Sequence, residues 1–149
     1  MGDPRRFDVV ASFIGRNFPV QRYPCVADVA GGKGDLKRLL IEKGYKSKTF
    51  DSRWGKHGYF FRRMAEEWNL IVGLHPDGAT EEIAHSALTT PVVLIPCCHL
   101  GWNGPESHGS PSMTETVRRL WRRLRVPYRE TLLNMSGKNV VLWTERKRQ

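Results

Sequence analysis

The sequence predicts an α/β fold with a mainly parallel sheet, and two observations carry this prediction. Short apolar runs without polar alternation occupy residues 25–30, 70–74 and 92–95, as expected of strands that are covered on both faces. These runs alternate with segments of helical periodicity, which is typical of parallel strands joined by helices. With 149 residues and 40% apolar content, the chain is long enough for one well-packed core. We therefore expect a single domain over residues 1–149.

The N-terminal region, residues 1–20, is predicted to contain a helix. Apolar residues recur at helical spacing over residues 7–18, and Pro19 ends the pattern. We expect this helix to pack on a sheet edge. A second helix is predicted over residues 35–43, where leucines share one face and Gly44 provides a stop.

A second strand is predicted over residues 46–50, and it ends at Asp51. The following residues, 56–68, have helical periodicity. Four of their apolar side chains are expected to face the core: Tyr59, Phe60, Met64 and Trp68.

The second half of the chain is predicted to contain two further helices. Residues 80–88 form one helix with Thr80 as its cap, and a capping-box pattern at residues 112–115 opens another that continues through Arg125. A terminal β-hairpin follows, with strands over residues 128–133 and 140–145 and a basic tail at residues 146–149.

The net charge of +9 is unevenly distributed along the chain. Lys and Arg number 14 in residues 1–68, none in residues 69–110 and 10 in residues 111–149. Clustered basic residues attract RNA or DNA, and simple solubility is the alternative explanation. We see neither a membrane-spanning apolar stretch nor a signal-peptide core, and three cysteines do not make a disulfide framework, so we expect a cytoplasmic protein.

A glycine-rich loop at residues 28–35 joins the first predicted strand to the second helix. Bare backbone at a strand end leaves room for a ligand. The residues expected to approach such a ligand are Asp28, Ala30, Gly31, Gly32 and Gly34. The dinucleotide fingerprint needs a Gly or Ala where counting from Gly32 places Lys37, so NAD is disfavoured. Asp51, at the end of the next strand, is placed to accept hydrogen bonds from ribose hydroxyls, and a turn or cap role is the alternative.

These residues resemble the class I S-adenosylmethionine (SAM)-dependent methyltransferases. The loop resembles their first motif, Asp51 the acidic end of their second strand, residues 70–77 their fourth motif, and the hairpin their last two strands. Over residues 25–145 the resemblance implies a compact Rossmann-like fold with SAM as cofactor, bound by the loop residues together with Asp51, Ser52, Arg53 and His75. Only 18 residues separate Asp51 from Leu70, so we expect the third-strand region to be abbreviated.

A narrower resemblance is carried by residues 72–81 and 95–99. These two blocks are similar to the eukaryotic tRNA uridine-2′-O-methyltransferase family, with a Gly-Leu-His motif and paired cysteines after a strand. The resemblance implies transfer of a methyl group to a ribose of tRNA.

The predicted catalytic residues are His75, Asp77 and Cys97. Methyl transfer requires the protein to align an acceptor and remove its proton, and an Asp with a neighbouring His could deprotonate a hydroxyl. A Lys-Asp-Lys-Glu tetrad is disfavoured, because no Lys occurs between residues 57 and 137. Cys97 has alternatives: a thiolate nucleophile for cytosine C5 methylation, or a small apolar residue in a buried pair with Cys98. Zinc binding by these cysteines with His99 and His108 is disfavoured by their spacing, so we expect no metal.

The helix that begins at Ser112 places several arginines away from its apolar stripe: Arg118, Arg119, Arg122, Arg123 and Arg125. Arginines favour bidentate phosphate contacts, and a solvated face is the alternative. Three aromatic residues in or near loops, Trp54, Tyr59 and Trp102, could stack on bases, and core packing is the alternative for each. We expect RNA as the partner, with a homodimer or a partner subunit possible. The alternatives are a protein or small-molecule methyltransferase, and a non-catalytic RNA-binding subunit.

Overall fold

The computed structural model describes residues 3–54, 58–97 and 101–145. The helices and strands follow in the order α1 (Arg6–Asn17), β1 (Cys25–Val29), α2 (Asp35–Glu42), β2 (Lys46–Phe50), β3 (Leu70–Leu74), α3 (Thr80–His85), β4 (Val92–Ile95), α4 (Met113–Arg123), β5 (Arg129–Leu132) and β6 (Val140–Trp143). Short 3-10 turns are formed at Ser52–Trp54, Arg62–Glu67, Asp77–Ala79, Ser86–Leu88 and Pro105–Ser107.

The six strands form one sheet in the order β2-β1-β3-β4-β6-β5. The first four are parallel, and β6 runs antiparallel to both of its neighbours. Strand order reverses between β1 and β3, and open α/β sheets bind ligands at the carboxyl ends of the strands at such a point. The predicted α/β fold, with a mainly parallel sheet and a C-terminal antiparallel hairpin, is confirmed.

Helices cover both faces of the sheet, with α1 and α2 on one side and α3 and α4 on the other. The predicted position of α1 at a sheet edge is wrong. Its buried residues Val10 and Ile14 pack with strand residues from the centre of the sheet, and Phe13 lies edge-on to Trp143 at 5.0 Å between ring centroids. An apolar stripe of this width buries more surface against a sheet face than against its edge.

The region between β2 and β3 is abbreviated, as predicted. The described residues between Phe50 and Leu70 contain no strand that joins the sheet, so β2 forms its edge. Lys46 and Lys48 are exposed on this strand. Charged side chains on an edge strand oppose pairing with other chains.

The predicted helix over residues 56–68 is wrong. Residues 58–61 are irregular and only Arg62–Glu67 forms a turn, of 3-10 type. Gly58 has a positive φ of 67°, which a helix does not accommodate. Phe60 is buried as expected, whereas Tyr59 is 71% exposed.

The other helix ends agree with the sequence within a few residues. Ser112 caps α4 as predicted, because its hydroxyl accepts a hydrogen bond from the Glu115 amide at 3.1 Å. Thr80 is not a cap: it is the first residue of α3, and its hydroxyl donates to the Asp77 carbonyl. The helix α4 ends at Arg123, two residues earlier than predicted. None of the helices within the described ranges has the length and apolar content needed to cross a bilayer.

Candidate functional site

Two cavities open at the carboxyl ends of the parallel strands, and they meet at Ala30 and Asp77. One has a volume of about 350 Å³ and lies between the end of β2, residues 58–60 and the turn after β3. We call it the adenosyl cavity, after the part of SAM that the resemblance to class I methyltransferases implies for this position. The other, of about 410 Å³, lies between the glycine loop, the end of β3 and the start of α1. We call it the loop cavity.

A larger cavity of about 720 Å³ lies elsewhere, between α1 and the terminal hairpin. It is a surface groove at the sheet edge formed by β5. We place the candidate site at the strand ends instead, because the buried carboxylates and the glycine loop are found there.

The glycine loop follows a backbone path that disfavours side chains. Gly32 and Gly34 have φ values of 60° and 91°, and Ala30 adopts the same left-handed region at 57°. Gly31 is restricted for a different reason, because a Cβ atom there would overlap the carboxylate of Asp28. The loop therefore lies directly against this carboxylate, and its bare backbone faces the cavity.

Asp28 is a buried carboxylate with one oxygen open to a donor. It is 1% exposed, and the Thr49 hydroxyl donates to Oδ2 at 3.1 Å. The other oxygen, Oδ1, is buried and accepts no hydrogen bond of ordinary geometry from the described residues. Burial raises the pKa of Asp28 to about 6, against the opposing effect of the Thr49 hydrogen bond. Because Asp28 lines the loop cavity, a ligand donor could satisfy this oxygen.

Asp51 connects the end of β2 to the glycine loop. Its Oδ2 accepts a hydrogen bond from the Gly32 amide at 2.8 Å and from the Arg53 guanidinium at 3.0 Å. Its Oδ1 accepts from the Arg53 amide at 3.0 Å and from Arg53 Nε at 3.2 Å. These four donors fill the capacity of a carboxylate. The Arg53 hydrogen bond holds the pKa of Asp51 below its usual range.

The adenosyl cavity combines apolar walls with the Asp51 carboxylate. Val29, Phe50, Phe60 and Pro76 line it, and Phe50 and Phe60 pack edge-on at 5.5 Å between ring centroids. Tyr59 lies at its mouth with an exposed ring. Ser52 and Arg53 also line this cavity. Such an arrangement suits a flat heterocycle attached to a sugar.

His75 links the end of β3 to the turn of the terminal hairpin. Its backbone is left-handed, with φ of 48°, and its Nε2 lies 2.7 Å from the Lys138 carbonyl oxygen. A carbonyl only accepts hydrogen bonds, so Nε2 carries the proton. In the neutral imidazole, Nδ1 then has the lone pair and can accept a proton. The contact with Lys138 was not visible in the sequence, because the two residues are 63 positions apart.

Asp77 and Cys97 are brought together because they follow the neighbouring strands β3 and β4. The Cys97 thiol donates to Asp77 Oδ1 at 3.5 Å, and Arg53 donates to Asp77 Oδ2 at 3.4 Å. Cys98 and His99 lie outside the described residues.

The arginines of α4 are engaged by glutamates of the same chain. Arg118 forms a two-point contact with Glu130 at 2.8 and 2.7 Å, and Arg123 contacts the buried Glu106 at 2.7 Å. Arg119 and Arg122 lie 3.6 and 3.3 Å from Glu115. None of these four arginines lines either cavity of the candidate site.

The three aromatic residues proposed to stack on bases differ in position. Tyr59 is exposed beside the adenosyl cavity. Trp102 is partly buried, packs against the core and donates to Glu106 at 3.2 Å, so core packing describes it better. The side chain of Trp54 lies outside the described part of the chain.

Solved structures share this architecture. The chain superposes on DesVI of Streptomyces venezuelae with a TM-score of 0.59 at 10% identity, covering 95% of this chain and 92% of that one. The release factor-specific protein-(glutamine-N5) methyltransferase of Alicyclobacillus acidocaldarius gives a TM-score of 0.54 at 19% identity, covering 97% and 94%. The magnesium protoporphyrin IX methyltransferase of Synechocystis PCC 6803, solved with bound SAM, gives 0.57 at 12% identity, covering 93% and 76%.

No protein-family model matches the sequence. No curated protein matches it either. The comparisons do not confirm the narrower resemblance to tRNA uridine-2′-O-methyltransferases. At identities of 10–19% the solved structures establish the architecture. The chain therefore has the class I methyltransferase fold, shortened at its third strand.

Proposed function

We propose that this protein is a SAM-dependent methyltransferase acting on RNA, with the ribose 2′-oxygen of tRNA as the favoured acceptor. The observation that carries the proposal is the pair of carboxylates, Asp28 and Asp51, on the two sides of the glycine loop. They stand at the switch point of a methyltransferase-like sheet, where the two cavities meet.

The residues present fit the cofactor. The adenosyl cavity would hold the adenine between apolar walls, with Asp51 and Ser52 beside the ribose and with Arg53 lining the site through its backbone rather than its guanidinium. The loop cavity would hold the methionine part against Asp28, Ala30, Gly31, Gly32 and His75. Gly34 supports the same loop through its positive φ. The open oxygen of Asp28 and the crowding at Gly31 are what a cradle for such a ligand requires. When bound, SAM supplies an activated methyl group.

His75 would remove the proton from the acceptor hydroxyl. Its Nε2 is occupied by the Lys138 carbonyl, so the proton would pass to Nδ1. Asp77 lines both cavities and would position the acceptor, while Cys97 holds Asp77 through its thiol. An ordered imidazole beside a carboxylate is suited to a hydroxyl acceptor.

RNA as the acceptor is supported by the net charge of +9 and by the exposed ring of Tyr59 beside the site. Arg118, Arg119, Arg122 and Arg123 would contact phosphates after exchanging their glutamate partners. That exchange predicts modest affinity with a steep dependence on salt.

A protein or small-molecule acceptor is the second candidate. The pairing of the α4 arginines with glutamates favours it, because paired arginines attract polyanions less strongly. Two similar structures carry such acceptors in their names, a glutamine of a release factor and magnesium protoporphyrin IX.

Isothermal titration with SAM and S-adenosylhomocysteine tests the cofactor part of the proposal. We expect the wild type to bind both, and Asp28→Ala and Gly32→Val to bind neither. Glu42→Ala, at the exposed end of α2, is the control and should bind normally. Absence of binding by the folded wild type would instead support a non-catalytic RNA-binding subunit.

Transfer of a radiolabelled methyl group tests the acceptor. Transfer to total tRNA, lost in His75→Ala and located at a 2′-oxygen by nucleoside mass spectrometry, is the expected result. Transfer to a protein or small-molecule fraction with none to RNA would move the assignment to the second candidate.

A further inference from the structure

Two exposed aromatic rings lie beside the adenosyl cavity. Tyr59 is 71% exposed and Phe61 is 42% exposed, and they are the two aromatic side chains among the exposed large hydrophobic residues of the described chain. Their ring centroids are 6.0 Å apart, with an angle of 34° between the ring planes. Tyr59 lines the cavity, whereas Phe61 is not part of its wall. An aromatic surface therefore continues from the mouth of the cavity onto the outside of the protein.

Packing on either side of the two rings fixes their exposure. Between them, Phe60 is buried and packs edge-on against Phe50. Phe61 has extended backbone, with φ of −114° and ψ of 147°, and successive side chains of an extended chain point to opposite sides. The next residue, Arg62, is held to α3, because its amide and its guanidinium donate to the Glu82 carboxylate at 2.8 and 2.6 Å. The folded structure thus presents both rings to the outside.

A cation adjoins this aromatic surface. The Cζ atom of Arg63 lies 4.8 Å from the centroid of the Phe61 ring. Arg63 is exposed and forms no ion pair with the described residues, in contrast to α4 arginines such as Arg118 and Arg123. Exposed ring faces beside a guanidinium match the base and the phosphate of a nucleotide.

A protein partner fits the surface less well than a single-stranded nucleic acid does. A stable protein interface buries about 800 Å² on each side. An aromatic side chain supplies at most about 250 Å², and both rings here are partly covered. A single strand needs no such area, because one base stacks on one ring and a phosphate adds its own contact. In a duplex the bases stack on each other, so their faces are not open to the rings.

We propose that Tyr59, Phe61 and Arg63 form a stacking platform for unpaired nucleotides of the RNA acceptor. The inference rests on RNA as the acceptor in the proposed function, and it narrows that acceptor to a single-stranded loop or end. Stacking accepts any base, so the platform positions the strand without selecting its sequence. Tyr59 and Asp77 line the same cavity, so a strand on the platform lies beside the proposed site of methyl transfer.

RNAs with and without exposed bases test the inference by fluorescence anisotropy. We expect the wild type to bind a short single-stranded RNA about tenfold more tightly than a ribose-phosphate chain of the same length that lacks bases. Tyr59→Ala with Phe61→Ala should bind the two chains equally, with an unchanged dependence on salt and unchanged binding of duplex RNA. Tyr59→Phe should keep the preference. Leu88→Ala with Leu132→Ala is the matched control, because it removes two exposed apolar side chains elsewhere.

The contribution of Arg63 is measured separately. Arg63→Gln should weaken binding of both chains to the same extent and lower the salt dependence by about one phosphate contact. Arg38→Gln, an exposed arginine on α2, is the control and should leave binding unchanged. Unchanged binding by Arg63→Gln would contradict the phosphate contact and remove Arg63 from the platform.

The outcomes separate the inference from the proposed function. A preference for bases that the Tyr59 and Phe61 double variant retains, or an equal loss of duplex binding, would overturn the platform and leave RNA as the acceptor. A wild type that binds no RNA would remove RNA from the proposed function, and the platform with it. Phe61→Ala should bind S-adenosylhomocysteine normally, and weaker binding would assign this ring to the cofactor site and overturn the inference. Thermal melting of each variant identifies any loss of folding.

Discussion

At the residue scale, Asp28 places a carboxylate charge at a buried position, where a charge lowers the stability of the folded protein. The glycine loop covers it, the hydroxyl of the strand neighbour Thr49 donates a hydrogen bond to it, and the Lys37 backbone also stabilises its charge. A buried carboxylate with an open oxygen is destabilising to the empty protein and useful to one that binds a cation. Under the proposed function, Asp28 lowers the stability of the empty protein and contributes to cofactor binding.

Asp28→Asn should stabilise the folded protein at neutral pH. The pKa of Asp28 rises from 3.8 in the unfolded chain to about 6 on folding, so its ionisation opposes folding above pH 6 and not below pH 4. At about 1.4 kcal/mol per pKa unit, we expect a gain of roughly 2–3 kcal/mol at pH 7.5. Chemical denaturation from pH 4 to pH 8 measures it. A gain that does not shrink as the pH falls from 7 towards 4 would contradict this explanation.

Arg53→Met should tighten the binding of S-adenosylhomocysteine. The four donors on Asp51 leave no acceptor site for a ribose hydroxyl until the Arg53 guanidinium moves away. The Arg53 side chain is 60% exposed, so the pair is worth less than about 1 kcal/mol and we expect a two- to fivefold gain in affinity.

The salt dependence of binding tests whether the Arg53 guanidinium must leave Asp51 before the cofactor binds. Binding by the wild type should improve as salt screens the exposed ion pair, and binding by Arg53→Met should lack that dependence. Arg38→Met removes an arginine of similar exposure, paired with Asp35, and serves as the control. Weaker binding by Arg53→Met would show that the guanidinium contacts the cofactor itself.

At the element scale, the site is built by loops that the strand ends hold in place. The glycine loop, the turn after β2 and the turn after β3 are joined by Asp51 and Arg53, and the hairpin turn reaches His75 through Lys138. The loss of the third strand leaves the irregular residues 58–61 to form one wall of the adenosyl cavity. Loop geometry, more than helix position, therefore determines the site.

Gly31→Ala should destabilise the protein and abolish cofactor binding. A Cβ atom at this position overlaps the Asp28 carboxylate, so the loop or the carboxylate must move. We expect a loss of about 1–3 kcal/mol in the free energy of unfolding, as for other overpacked sites. Gly15→Ala, in α1, is the matched control, because its Cβ would meet only the Lys43 side chain at an ordinary 3.8 Å and Gly15 lines neither cavity of the site. Normal binding and stability in Gly31→Ala would refute the packing described for this loop.

At the scale of the whole molecule, the net charge of +9 attracts a polyanion less strongly than the sequence suggests. The basic face of α4 is matched by Glu106, Glu115 and Glu130, two of which come from outside that helix. The formal charge is a count of ionisable residues. A binding partner responds to the electric field that remains after arginines and glutamates have formed ion pairs.

Replacing Glu115 and Glu130 together by glutamine should strengthen RNA binding. The change releases Arg118 and Arg122 and raises the net charge of this face by two, because two carboxylates are removed. We expect affinity for tRNA at low salt to rise by about tenfold, with a steeper dependence on salt. Glu66→Gln with Glu67→Gln makes the same change of charge on a different surface and is the control. Equal effects of the two double variants would indicate non-specific attraction.

Much of the fold could be predicted from local sequence. Strands β2, β3 and β4 have their predicted bounds, the hairpin was identified, and the short interval after Asp51 indicated the missing strand. The segment at residues 58–61 was assigned wrongly because its apolar spacing matched a helix, whereas Gly58 and the site wall determine its conformation. Local sequence patterns predict secondary structure correctly where buried residues recur along a strand. They fail where one tertiary contact determines the backbone conformation.

By itself, the sequence determined the sheet, the glycine loop and the carboxylates beside it, because these depend on short-range patterns of burial and backbone freedom. Only the tertiary structure decided that Arg53 covers Asp51, that Lys138 orients His75 and that Arg6 lines the loop cavity. Each of these contacts joins residues that are close in space, and the local spacing of residues in the sequence does not predict it. Charge partners and proton positions depend on which groups the fold brings within a few ångströms, and that distance is a property of the packed chain.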